Sequence, residues 1–231
     1  YKIMTNTTQL TTENERILSI DFFRGITMFL LIGEFSELFG NLIDPYFDGT
    51  IVSFIGNQLH HHAWNGLHFW DLIQPFFMFI VGVAMPFSFT KRWNKGDSWK
   101  NTLQHTLKRS FWLLFLGWAL YCIGPGKIMF RFTNVLVQLS VTYLIAFLLM
   151  RKAVKWQLLV SFGMILLSYL LYQFWPVEGF NQPFVADHNF GTWFDVNIFG
   201  QMNSGHWVSI NAIPTSAHTI WGVVAGMILM N

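Results

Sequence analysis

Charge is scarce in this chain. Asp, Glu, Lys and Arg together make 11% of the 231 residues, while 53% are hydrophobic and 18% aromatic; ordinary soluble domains carry about 25% charge. A water-soluble domain is thereby excluded, and the net charge of +2 supplies no basic field that would point to nucleic acid. Cysteine is scarcer still: Cys122 stands alone inside an apolar run, which excludes a disulfide framework and leaves the redox compartment unread. Basic residues are missing altogether from 40–71 and from 176–211. A cleavable signal peptide is not expected either, because the residues before Ile17 are polar and the first apolar run is long.

What is present is a set of apolar runs. Six can be marked, at 20–39, 72–89, 111–123, 135–150, 157–174 and 212–230, set against the roughly 20 residues needed to cross a hydrocarbon core of about 30 Å. The run 111–123 is the shortest. The expected fold is therefore all-α and polytopic, with about six transmembrane helices: a polar segment at 1–16, then a membrane domain over 17–231. Because the chain stops at Asn231 directly after an apolar run, it is expected to be a piece of a longer polytopic protein. Charge placement gives the orientation, since Lys and Arg accumulate in cytoplasmic loops. Lys2, Arg16 and Arg24, then Lys91, Arg92, Lys95, Lys100, Lys108 and Arg109, then Arg151, Lys152 and Lys155 fall on alternate sides of the spans from Lys127 and Arg131. The N-terminus is thus expected in the cytoplasm, and the loops 40–71 and 176–211 outside.

The outer loop 40–71 carries the densest chemistry. It reads His60-His61-His62-Ala63-Trp64-Asn65-Gly66-Leu67 and ends at Trp70-Asp71. Three imidazoles beside an Asn and an Asp are a poor covering for a lipid-facing surface, where each unpaired polar group costs several kcal/mol. A reaction or binding centre is the better reading. Trp64, Phe69 and Trp70 offer flat apolar faces suited to a sugar ring, or equally an interfacial aromatic belt. Within the first run, Asp21 and Arg24 are three apart and share a helix face, either as a structural ion pair or as a cytoplasmic anchor for an anion. Glu34 and Glu37 share a face at its outer end, where either could orient an imidazole.

These groups admit other readings. His60, His61, His62 and His68 with Glu34, Glu37 and Asp71 could form a metal site or an ion path; against a metal, adjacent histidines on one short loop cannot all converge on one ion, and none is expected. A haem site would need opposed histidines within spans, and only His218 qualifies. His218, beside Thr215, Ser216 and Thr219, suits a polar contact between helices. His105 sits among basic residues and reads as solvated, although Lys108 and Arg109 beside it could meet phosphates. His188 and His206 lie in the loop 176–211, long enough to fold over His61 as a lid. A catalytically silent transporter of a sugar or lipid-linked substrate stays open as the alternative function.

The order Leu18-Ser19-Ile20-Asp21-x-x-Arg24-Gly25, then His61-x-x-Trp64-Asn65-Gly66-Leu67, then Asp71-Leu72-x-x-Pro75-Phe76-Phe77-x-Phe79-Ile80-Val81-Gly82 resembles the transmembrane acetyltransferases typified by heparan-alpha-glucosaminide N-acetyltransferase and their bacterial relatives. The resemblance is strong over 17–88 and thinner beyond. It implies that the histidine three residues before the Trp, here His61, is the catalytic one. It further implies transfer of an acetyl group from cytoplasmic acetyl-CoA to an amino sugar or glycan acceptor across the bilayer, in a bacterial inner membrane, with a homodimer allowed for. Three departures bear on the substrate: Glu34-Phe35 where relatives commonly have Asn, Asn134-Val135-Leu136-Val137-Gln138 where many have Gly-Val-Leu-Gln-Arg, and Gly205-His206-Trp207-Val208 where Asp-Pro-Glu-Gly is usual.

The residues suit that chemistry. An amine acceptor must lose a proton as it attacks a thioester, and an imidazole with pKa near 6.5 matches the task. His61 is the expected base or acetyl carrier. Asp71 would fix its tautomer, and Asn65 would donate to the developing oxyanion. Trp64, Trp70, Glu34 and Glu37 are expected to bind the acceptor, and Arg24, Lys108 and Arg109 the coenzyme.

Overall fold

The computed structural model describes residues 18–230, with Asn65, Gly124, Ser204 and the Phe35 side chain excepted. The segment 1–16 and its basic residues lie outside the described residues. Every apolar run read from the sequence is helical over most of its length, the first only as far as Phe35, with 36–39 in a turn. The helices are α1 (Leu18–Phe35), α2 (Ile51–Gln58), α3 (Ile73–Asn94), α4 (Trp99–Ile123), α5 (Val135–Leu149), α6 (Val154–Gln173), α7 (Phe190–Phe199) and α8 (Ala212–Leu229), and no strand occurs among the described residues. The protein is an all-helical polytopic membrane protein. Of its helical segments, 69–94, 154–173 and 209–229 are individually long and apolar enough to cross a bilayer. The other three runs are helical but fall short of that standard for local reasons. Helix α5 has 15 residues, about 22 Å at 1.5 Å per residue. Helix α4 begins twelve residues before its apolar run, and α1 carries Asp21, Arg24 and Glu34.

Short polar side chains start the helices where the apolar pattern begins. Thr50, Asn134 and Asn189 cap α2, α5 and α7, each accepting a hydrogen bond from the backbone N–H three residues on, as an N-cap must to satisfy an otherwise orphaned donor. Asn134 also donates Nδ2 to the Gly117 carbonyl of α4, so one side chain starts α5 and ties it to its neighbour. Gly200, at φ 69°, ends α7 in the left-handed conformation that a Cβ would strain.

Helix α8 is the hub, packed on α3, α5 and α6. Between α3, α5 and α8 lies the core, built on Met85, Phe89, Tyr143, Phe147, Ile220 and Val223. At the end of the core nearest the α3–α4 connection Trp99 stacks on Phe147 with centroids 4.5 Å apart and planes 8° from parallel. Helix α6 is held more lightly, with Trp221 Nε1 donating to Ser161 Oγ at 3.0 Å. Its outward face, including Leu159, Phe162 and Leu166, is exposed, which hydrocarbon tolerates because the helix satisfies its own backbone.

The C-terminal end of α1 and the N-terminal ends of α3 and α8 adjoin the irregular chain. A second small cluster of Phe39, Trp70 and Ile73 seats the 3-10 turn Phe69–Leu72 against α1, and so fixes where the preceding histidine loop emerges. On the other side, Asp195 of α7 accepts the Ser209 N–H through both carboxylate oxygens, at 3.2 and 3.0 Å. Burial pushes the Asp195 carboxyl above the usual carboxylate range.

Candidate active site

The histidine loop is organised by one carboxylate. Asp71 sits at the third position of the 3-10 turn Phe69–Leu72; its Oδ2 accepts the backbone N–H of His68 at 2.8 Å and of His62 at 3.3 Å. Its Oδ1 lies 2.7 Å from His61 Nδ1. A carboxylate only accepts, so Nδ1 carries a proton, and in the neutral ring Nε2 is then the nitrogen with the lone pair. The His61 ring is held edge-on to Trp70 and Trp207 at 6.4 and 5.1 Å.

The neighbouring histidines are turned to other partners. His60 Nδ1 faces the Gly56 carbonyl at 2.8 Å and His68 Nδ1 the His60 carbonyl at 2.9 Å, while His62 Nδ1 accepts the Trp64 N–H at 3.3 Å. Adjacent residues on a short loop diverge, which is why three imidazoles in a row do not act as one cluster.

Two cavities meet at His61. An outer one of about 840 Å³ is bounded by Trp64, Tyr169, Tyr172, Phe184, His206 and Trp207; an inner one of about 470 Å³ runs between the helices past Leu31, Glu34, Gln74, Gln138, Thr215 and His218. His61, Asp71, Trp207 and Asn211 line both. Polar side chains in the inner cavity are tied to each other: Gln74 Nε2 donates to Gln138 Oε1 at 2.6 Å, and Gln138 Nε2 to the Thr133 carbonyl at 3.2 Å. Asn211 accepts the Tyr172 hydroxyl at 3.2 Å through Oδ1, leaving its amide N–H groups as donors.

A model of the family described as "Domain of unknown function (DUF5009)" matches residues 16–182. The chain belongs to that family. It is also similar to the heparan-alpha-glucosaminide N-acetyltransferases of Homo sapiens and Mus musculus, 33% identical to each over 140 residues, which cover 56% of this chain and 18% of each relative. The chain thus matches under a fifth of the length of those curated relatives. The likeness supports an acetyltransferase-like protein and agrees with the resemblance seen in the sequence.

In this DUF5009 member the residues singled out from the sequence divide into groups. His61 and Asp71 are brought into contact; Trp64 lines the outer cavity and Glu34 the inner one. Glu34 also lies beside Trp70 and within electrostatic reach of His61. Trp70 lines the inner cavity but is 3% exposed, packed on Phe39 and Ile73 behind His61. Glu37 is exposed in the turn after α1 at φ 57° and its carbonyl accepts from Asn41; it borders neither cavity. Asn65 lies outside the described residues. Arg24 and Asp21 approach to 3.9 Å at the surface. Lys108 is exposed on α4, while Arg109 donates to the Tyr143 hydroxyl at 3.3 Å with its guanidinium 4.4 Å above that ring. His105 meets Arg92 at 3.1 Å; burial, and then the positive charges of Arg92 and Arg109, hold it below the ordinary histidine range. Exposed His188 faces the Gly179 carbonyl, and His218 joins the inner cavity with its ring against Trp221.

Sequence reasoning missed Asn211, and it missed the pairing of His206 with Asp187. His206 Nδ1 lies 2.7 Å from Asp187 Oδ2, across 19 residues of a loop with no periodic pattern to announce the contact. Residues of the loop 176–211 touch the histidine loop. Trp64 Nε1 donates to the Phe184 carbonyl, and the rings of Trp64 and His206 lie 5.8 Å apart.

Proposed function

We propose that the protein is a membrane-bound acyltransferase moving an acetyl group from acetyl-CoA, reached from the cytoplasmic side, to an amine acceptor, an amino sugar, on the outer side of a bacterial inner membrane. The observation that carries this reading is the place of the His61–Asp71 pair, on the wall common to an outer and an inner cavity. A transferase working across a bilayer needs two substrates to reach one base from opposite directions, and a wall shared by two cavities supplies that geometry. The similarity to heparan-alpha-glucosaminide N-acetyltransferase and the charge-derived orientation support the same direction of transfer.

In this reading the acceptor ring rests among Trp64, Tyr172 and Trp207 in the outer cavity. The acyl end of the donor enters through the inner one, past Gln74 and Gln138, whose amides match those of a pantetheine arm. Arg24, in the second turn of α1, and Lys108 and Arg109, in α4 just before its apolar run, meet the coenzyme's phosphates. His61 Nε2 takes the proton of the amine as its nitrogen attacks the acetyl carbonyl carbon. The C–N bond forms, the carbonyl becomes an oxyanion, and the C–S bond then breaks; His61 returns the proton to the departing thiolate. The Asn211 amide, oriented by Tyr172, joins Asn65 as a candidate donor to the oxyanion, a contribution of about 3–4 kcal/mol in sites where one such donor has been removed.

The test is transfer of radiolabelled acetyl from acetyl-CoA to amino sugars by the full-length protein in sealed vesicles, beside a His61→Ala variant. Labelled product with the unmodified protein alone supports the proposal. Sugar uptake without any coenzyme-dependent transfer would favour a transporter instead.

A further inference from the structure

The outer cavity holds a second imidazole–carboxylate pair, built like the first and unused by the mechanism above. His206 Nδ1 is 2.7 Å from Asp187 Oδ2, the same contact that His61 Nδ1 makes with Asp71 Oδ1. The same tautomer follows, with the proton on Nδ1 and the lone pair on Nε2. Both imidazoles border the 840 Å³ cavity, and the residue after His206, Trp207, lies against the His61 ring.

The second pair is set by an unusual backbone. Asp187 and His206 both adopt left-handed conformations, at φ 63° and 61°, a region uncommon outside glycine that Asp and His enter more readily than other side chains. The His206 N–H donates to the Asn203 carbonyl at 3.0 Å, and Asn203 Nδ2 is anchored on Thr133 Oγ1 at 3.1 Å, just before α5. Asp187 Oδ1 is buried without a hydrogen-bond partner among the described residues. An imidazolium at His206 would therefore have its counter-charge already in contact.

We infer that His206, positioned by Asp187, is a second base of the site, taking the first proton from an acceptor that enters as an alkylammonium. This rests on the acetyltransferase reading and deepens it. An ammonium nitrogen has no lone pair and must shed two protons in becoming an amide, one before attack and one as the C–N bond forms. His206 Nε2 takes the first and passes it to the outer solvent. His61 takes the second and returns it to the coenzyme thiolate as the C–S bond breaks. The balance is ammonium plus thioester giving amide, thiol and one released proton, with no further reactant.

The experiment compares two acceptors in the vesicle assay, glucosamine and its 2-aminooxy analogue, whose nitrogen is unprotonated at neutral pH. His206→Asn keeps a residue tolerant of the left-handed backbone, and Asp187→Asn does the same at the partner position. Both variants are expected to lose about 10²-fold or more on glucosamine, the scale of one general base, and under about threefold on the aminooxy sugar; His61→Ala loses both. Equal loss on the two acceptors, or no loss on either, with the unmodified protein active on both, overturns the second base and leaves the acetyltransferase standing. An unmodified protein that acetylates neither acceptor overturns both.

Discussion

Gly82 of α3 and Gly222 of α8 meet backbone to backbone, such that a Cβ on either would lie 3.0 Å from the other's Cα. One turn on, Gly226 lies against the Val83 backbone in the same way. The Gly222-x-x-x-Gly226 spacing lets two helices approach without side chains between them, the usual means of association where no hydrophobic drive separates helix from lipid. This crossing sets α3 beside α8, and so holds Gln74 opposite Thr215 and His218 across the inner cavity.

The crossing predicts a contrast between two glycines. Gly222→Ala puts a methyl into the Phe79 carbonyl, and overpacking of that kind costs about 1–3 kcal/mol. Gly163→Ala in α6 meets open space and is expected to be neutral or stabilising by up to about 1 kcal/mol. Thermal unfolding of both in one detergent measures the difference; equal shifts would contradict the close approach.

The histidine loop predicts a ranking. His61→Ala is expected to lower acetyl transfer by about 10²–10⁴-fold without shifting the unfolding midpoint. Asp71→Asn should fall between that variant and the unmodified protein, because it disturbs the tautomer but leaves a base. His60→Ala and His62→Ala should be milder, since His60 supports the Gly56 carbonyl at the end of α2 and His62 the Trp64 N–H. Comparable loss at all three histidines would remove the case for a single base.

Trp64 is the latch between the two outer loops, through its indole N–H on the Phe184 carbonyl. Trp64→Phe keeps an aromatic face and removes the donor. With one hydrogen bond worth about 0.5–1.5 kcal/mol net, the KM for the acceptor should rise roughly two- to tenfold while kcat holds. A fall in kcat at unchanged KM would mean the ring serves the chemistry and not closure.

The helices were legible because long apolar runs leave little choice of structure in a bilayer, and His61 with Asp71 because both lie in one motif at the mouth of a span. Less visible were α2 and α7, short helices inside loops, although Thr50 and Asn189 stood ready as caps. Helix α4 begins at Trp99, well before its apolar run; its first turns are basic and amphipathic, and a hydropathy reading passes over them. The His206–Asp187 pair depends on two left-handed residues and a turn anchored by Asn203, none of which has a period or spacing to find. Asn211 reaches both cavities only through the α3–α8 crossing, a tertiary fact.

On α4, His105 offers a test by pH. Burial and the neighbouring Arg92 and Arg109 charges lower its pKa in the folded protein, so folding favours the neutral ring. Its contribution to stability is present above the ordinary histidine value of about 6.5 and is lost as pH falls from there through the lowered folded value. The ring is exposed, so the effect on stability is small and salt-screened, and its own titration is the better readout. In histidine-labelled protein, the His105 resonance should titrate below the ordinary value, and Arg92→Gln should move the midpoint upward by removing the guanidinium 3.1 Å from Nε2. A midpoint unchanged by that substitution would show that burial, the larger cause, and the remaining Arg109 charge set the value without Arg92.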